Sequence, residues 1–202
     1  MGRRFVAERR RDPYYRAAQE EGLRSRAAYK LEHLAERFPI FRAGDRVLDL
    51  GAAPGGWSIV ALERVGRRGE VVAVDPRAVD PIDGVTVVHG MVGTPGFADR
   101  LGPEPFDVVL SDMSPRISGA YATDHARSVA LVRSAFELAE RVLAERGVFV
   151  AKVFAGEMLD ELDHDLGPSF RRWSRTKPPA SRERSSELYL IGVGFHRTKG
   201  PA

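Results

Sequence analysis

Cysteine is absent from the 202 residues, which excludes disulfides and thiolate metal sites and fits a reducing compartment. The five histidines, His33, His89, His125, His164 and His196, show no paired spacing of the kind that ligates a metal. They read as surface or structural residues, and no metal is expected. No apolar run approaches the roughly 20 residues that span a bilayer, and the N-terminus has no signal-peptide core. A cytoplasmic protein without membrane contact is the expectation. Internal repeats, low-complexity tracts and convincing linkers are also missing, so the chain reads as one domain with a sizeable core.

A balanced charge is lacking only at the front. Arg3, Arg4, Arg9, Arg10, Arg11, Arg16, Arg24 and Arg26 face only Glu8, Asp12, Glu20 and Glu21, while the whole chain carries a net charge of +3. The remainder is therefore near neutral. Such an arm suits a polyanionic partner, and a solubilising tail is the plain alternative. The expected division is a basic arm over 1–23, partly disordered or helical, a domain over 24–196, and a tail over 197–202.

What the chain does have is the stretch Val47-Leu48-Asp49-Leu50-Gly51-Ala52-Ala53-Pro54-Gly55-Gly56-Trp57-Ser58. An apolar run breaks into small residues and then opens onto a helical segment. In that layout, backbone N–H groups and the positive end of a helix hold an anionic group. Gly51, Ala53 and Gly56 fit the spacing G-x-G/A-x-x-G, and a second apolar run ends at Asp75, where an acid can accept from both hydroxyls of a ribose. A nicotinamide cofactor has no use for the extra carboxylate at Asp49 or for Pro54 within the turn. An amino-acid tail does, because its ammonium needs an anion and its carboxylate needs backbone donors. The ligand read from these residues is S-adenosylmethionine (SAM).

Strands are expected over 47–50, 70–75, 85–89, 106–111, 147–154, 170–175 and 187–195. Helices are expected over 25–38, 57–66, 96–101, 124–145 and 157–166, with Ser25 as a cap. Strands alternating with helices imply a mostly parallel seven-stranded sheet with helices on both faces. Asp49, Asp75 and Asp112 fall at strand ends, where such sheets bind ligands. Lys152 interrupts the apolar strand Val148-Phe149-Val150-Ala151-Lys152-Val153-Phe154. Burial without a partner favours the neutral amine, the form a base requires, and an edge lysine reaching solvent is the alternative. Lys30 and Glu187 carry no signal of their own: one reads as a solvated helix charge, the other as the start of a strand.

Five segments occur in order: Ser25-Arg26-Ala27-Ala28-Tyr29-Lys30-Leu31, Asp49 to Ser58, Ser111-Asp112-Met113-Ser114-Pro115, Lys152-Val153-Phe154 and Ser185-Ser186-Glu187-Leu188-Tyr189. Together, over residues 24–195, they closely resemble the RrmJ/FtsJ family of SAM-dependent ribose 2′-O-methyltransferases. The resemblance implies a Rossmann-like fold and methyl transfer to RNA, most similar to the enzymes that act on a uridine of 23S rRNA in the large ribosomal subunit. It implies that Lys152 accepts the 2′-hydroxyl proton, with Lys30, Asp112 and Glu187 completing a tetrad. It also implies that Gly55, Gly56 and Trp57 approach the methionine end of SAM and that Asp75 holds its ribose. Family members commonly carry an aspartate after the glycine that ends the third strand. Met91 stands there, so adenine can still be packed but the side-chain acceptor is lost. Alternatives are the same chemistry on tRNA, a non-catalytic ribosome-assembly factor that binds RNA, and a nicotinamide oxidoreductase. The last is opposed by Asp49, Pro54 and Lys152. A monomer is expected.

Overall fold

The computed structural model describes residues 27–178 and 186–197. The basic arm, Ser25 and the tail beyond 197 lie outside the described residues. Within them, α1 spans Ala27–Arg37, β1 Arg46–Leu50, α2 Gly56–Val65, β2 Glu70–Asp75, β3 Val85–His89 and β4 Phe106–Ser111. Then come α3, Tyr121–Val142, β5, Leu143–Phe154, α4, Leu159–Leu166, β6, Phe170–Thr176, and β7, Glu187–Phe195. The strands form one seven-stranded sheet in the order β3-β2-β1-β4-β5-β7-β6. Pairing is parallel from β3 to β5, and β7 lies antiparallel between β5 and β6. This is the expected α/β architecture.

The central strands are near-continuous apolar runs because both of their faces are covered. Leu48, Leu50, Val109, Phe149, Ala151 and Val153 pack with α3 and α4. Val47, Val108, Leu110, Val150 and Ile191 pack on the other face with Leu31 and Leu34 of α1 and Val60 of α2. Side chains alternate along a strand. Asp49, Asp112, Lys152, Tyr189 and Glu187 therefore all belong to the α1/α2 face, near its carboxyl-end rim. Strand order reverses between β1 and β4, which opens the crevice where ligands enter such sheets. Among the described residues, no helix is long and apolar enough to cross a membrane.

Several boundaries differ from expectation. Helix α3 starts at Tyr121 rather than at Asp124, because Asp124 reaches back and accepts from Ser118 N, Ser118 Oγ and Gly119 N at 2.8, 2.8 and 3.0 Å. The acid secures the loop before the helix instead of capping the helix itself. The helix also ends three residues early, at Val142, and β5 begins at Leu143 rather than at Gly147. Phe106 pairs with Leu143, whereas Val108 pairs with Val148, and Arg146 takes up the slack at φ 66°. The regular strand still starts at Val148. Finally, the helix expected over 96–101 is a single 3₁₀ turn, Ala98–Leu101.

Candidate active site

The turn after β1 is shaped by close approach. Gly51 has φ 77°, and a Cβ there would lie 2.8–2.9 Å from Met113 Cγ, Cα and N. Glycine is what lets the turn touch the segment that follows β4. Gly55 has φ 106° and precedes α2 without any side-chain cap. Gly51 N and Ala52 N donate to Val74 O at 2.9 and 3.1 Å, and Ala53 N donates to Asp75 Oδ2 at 3.0 Å. Most turn donors are thus spent on the scaffold. In the first helical turn the N–H groups of Gly56 and Trp57 have no intrahelical partner and remain for an anion, whereas the Ser58 N–H is turned to Asp49.

Trp57 plays a different part from its neighbours. Its indole is buried, donates to Ala27 O at 2.8 Å and lies 5.7 Å from the Tyr189 ring. The side chain joins α1 to α2 and β7, so only its backbone faces the ligand end of the helix.

Asp49 is wholly buried. Oδ2 accepts from Ser58 Oγ at 2.6 Å, while Oδ1 has no partner among the described residues. Burial pushes its pKa up to about 7, the Ser58 hydrogen bond lowers it, and the charges of Asp112 and Asp75 raise it further. An orphaned acceptor in the interior is costly. Its place beneath a turn with donors left over fits a ligand that carries both an ammonium and a carboxylate. Solvent does not reach the oxygen, so an ammonium outside could act on it only through space.

Asp75 is buried at the end of β2, and both of its oxygens are engaged. Oδ1 accepts from Arg77 N at 2.7 Å and Arg77 Nε at 3.1 Å, and Oδ2 accepts from Ala53 N and from an Arg77 guanidinium nitrogen at 3.2 Å. Burial alone raises its pKa. The Arg77 guanidinium and the two N–H groups outweigh this and hold the carboxyl below the usual range. Arg77 is itself largely exposed, so its guanidinium can give way to ribose hydroxyls. Met91, after β3, is 60 % exposed and available to a flat ring.

The four ionisable groups form two ion pairs around one tyrosine. Lys152 Nζ donates to Asp112 O at 2.8 Å and lies 3.0 Å from Asp112 Oδ1. Lys30, buried on the inner side of α1, pairs with Glu187. Tyr189 stands between the pairs. It is the residue opposite Lys152 in the β5–β7 ladder, its hydroxyl lies 3.4 Å from Asp112 Oδ1, and its ring centroid is 6.0 Å from Lys30 Nζ. Lys152 is buried, and Asp112 holds it twice. Tyr189 and Ser58 carry no role in the sequence reading. The signal for Tyr189 is available, since it lies two residues beyond Glu187 and so shares its face of the strand.

The arrangement offers an amine, a second cation and two carboxylates next to a glycine turn, which is suited to taking a proton from a hydroxyl. Known proteins of this kind are recognisable. A ribosomal RNA methyltransferase from Plasmodium falciparum, described as putative, superposes with a TM-score of 0.78 at 28% identity, covering 85% of this chain and 98% of that one. A fibrillarin/Nop5p complex shares the fold alone, with a TM-score of 0.56 at 17% identity, over 77% of this chain and 75% of that one. The protein is 44% identical over 200 residues to "Ribosomal RNA large subunit methyltransferase E" of Methanothermobacter thermautotrophicus, covering 96% of this chain and 95% of that protein. It is 46% identical over 191 residues to the protein of the same name from Archaeoglobus fulgidus, with 93% and 98% covered. The FtsJ-like methyltransferase profile matches residues 23–195. With that span and those identities, the chain belongs to the FtsJ-like methyltransferase family.

Proposed function

We propose that the protein transfers the methyl group of SAM to a ribose 2′-hydroxyl of RNA, at a uridine of 23S rRNA in the large ribosomal subunit, as a cytoplasmic monomer. The RNA class is supported by the relatives named for large-subunit ribosomal RNA. The hydroxyl is supported by one observation above all, the Lys152 amine gripped by two oxygens of Asp112. Two donor positions of the tetrahedral nitrogen are used by Asp112. The third is an N–H in the ammonium of the ion pair, and once that proton has left, its lone pair can take the substrate proton.

When bound, SAM supplies a methyl carbon made electrophilic by its sulfonium. The Gly56 and Trp57 N–H groups would hold its carboxylate, and Asp49 would attract its ammonium, at the turn that Gly51 and Gly55 shape. Asp75 would accept from the ribose hydroxyls in place of Arg77, and Met91 would pack on the adenine. Lys152 takes the proton from the 2′-hydroxyl as the oxygen becomes nucleophilic. Lys30, positioned by Glu187, offsets the negative charge that develops on that oxygen, and Asp112 orients the base. The remaining contribution of the site would be to place the hydroxyl oxygen toward the methyl group.

Mapping of 2′-O-methyl groups on total RNA after incubation with protein and labelled SAM tests the reading. Label in one large-subunit uridine is expected; label only in tRNA, or only on a base, contradicts it. Met91 is the one residue that favours a non-catalytic RNA-binding role. Calorimetry that detects no SAM binding at millimolar concentration would shift the conclusion to that role.

A further inference from the structure

Beside the two ion pairs, the same rim carries a cleft of about 330 Å³ between the loop before α3 and the start of β7. Ile117, Tyr121, Phe154, Ser186 and Glu187 line it, so it shares Glu187 with the Lys30 pair. Ile117 and Tyr121 are 65 and 61 % exposed. A single exposed apolar side chain needs no explanation, but two that face one cleft beside a reactive centre do.

Tyr121 is also firmly backed. Its ring stacks on His125, one helical turn on, at 6.5 Å between centroids and 16° between planes. His125 is buried, donates from Nδ1 to Phe154 O at 2.9 Å and accepts at Nε2 from Met158 N at 3.1 Å. Both ring nitrogens are committed, which fixes the tautomer and the plane. A Cβ at Gly156 would come within 2.3 Å of that imidazole, so the ring has no room to shift. On the loop side, Asp124 ties down Ser118 and Gly119. The cleft is therefore a preformed slot with a rigid aromatic face, apolar flanks and polar groups at its mouth.

We infer that Tyr121, backed by His125 and flanked by Ile117, is the platform on which the base of the nucleotide being methylated stacks. This rests on the reading of the protein as an RNA ribose methyltransferase. A nucleobase has the matching shape, a flat apolar face with polar edges, and single-stranded RNA is commonly held by stacking on aromatic side chains. Every base offers a π face, so Tyr121 sets the placement of the sugar relative to Lys152 rather than the identity of the base.

The test compares wild type with Tyr121→Ala, Tyr121→Leu, Tyr121→Phe and Tyr121→Trp on unmethylated large-subunit RNA, free and within the subunit. Tyr121→Ala and Tyr121→Leu are expected to lose roughly ten- to a hundredfold in kcat/KM for RNA. Tyr121→Phe and Tyr121→Trp should stay within a fewfold of wild type, with SAM affinity and Tm unchanged in all four. Leucine fills space without a flat face, so a leucine variant as active as the phenylalanine variant overturns the platform, as does full activity of Tyr121→Ala. If Tyr121→Ala or Tyr121→Leu keeps full activity while wild type methylates RNA, only the platform is lost. If wild type methylates no RNA ribose, the functional reading falls and the platform with it.

Discussion

Asp49 is the residue whose protonation the fold holds furthest from its solution behaviour. With a pKa near 7 in the folded protein and near 4 when unfolded, the folded state binds more protons between those values. Its contribution to stability is fully present below about pH 4 and is lost as pH rises through about 7, on the order of 4 kcal/mol in all. Asp49→Asn removes that loss. The Tm of the variant minus that of wild type should therefore rise between about pH 4 and pH 7 and level off above. A difference that stays flat across the range contradicts the burial argument. SAM binding should follow the opposite course, since the ammonium needs the ionised carboxylate: affinity rises with pH up to about 7 in wild type and loses that dependence in Asp49→Asn. Asp49, Asp75, Asp112 and Lys152 were legible in the sequence because each is a charge set at the end of, or inside, an apolar strand. Lys30 and Glu187 were legible only through the resemblance. They are separated by 157 positions, and no local pattern brings a helix residue onto a strand that far along the chain.

Among the elements, the turn between β1 and α2 has the least freedom. Gly51 combines a left-handed backbone with contact against Met113 main chain, which cannot move like a flexible side chain. Gly51→Ala is expected to cost about 2 kcal/mol or more in unfolding free energy and to weaken SAM binding, because it pushes apart the two strand ends that frame the crevice. Urea denaturation and calorimetry check both, and a variant that matches wild type in each contradicts the close-approach argument. Element types and most boundaries followed from apolar periodicity and glycine or proline punctuation. The α3–β5 junction did not. There Gly147 marks a turn in the sequence, whereas the ladder begins at Leu143 through an irregular pairing that composition does not encode. The start of α3 escaped for a similar reason, since Asp124 looks like a cap and instead anchors the loop behind it.

At the scale of the whole molecule, α1, the glycine turn, β4, β5 and β7 deliver their functional groups to one rim. Strands β6 and β5 run the same way, so Thr176 and Glu187, at the ends flanking 177–186, also belong to that rim. The exposed Arg171 and Arg172 lie at the start of β6, at the edge of the sheet opposite to that rim, and Arg175 is already paired with Asp160 and Asp163. Alanine at any of the three should therefore leave the slope of log affinity for RNA against log salt near wild type. A slope reduced by about 1 in Arg171→Ala or Arg172→Ala would extend the RNA-facing surface beyond the rim, to the far edge of the sheet. The parallel order and the helices on both faces were readable from alternating strands and helices, but the insertion of β7 between β5 and β6 was not, because strand order is a tertiary choice.

The rim converges on Lys152, and Lys152→Ala, assayed under single turnover with saturating SAM and unmethylated large-subunit RNA, tests its role as the base most directly. The predicted result is loss of methyl transfer to the ribose by at least a hundredfold, with SAM affinity by calorimetry within a fewfold of wild type. Transfer at the wild-type rate, with SAM still bound, would show that another group takes the proton.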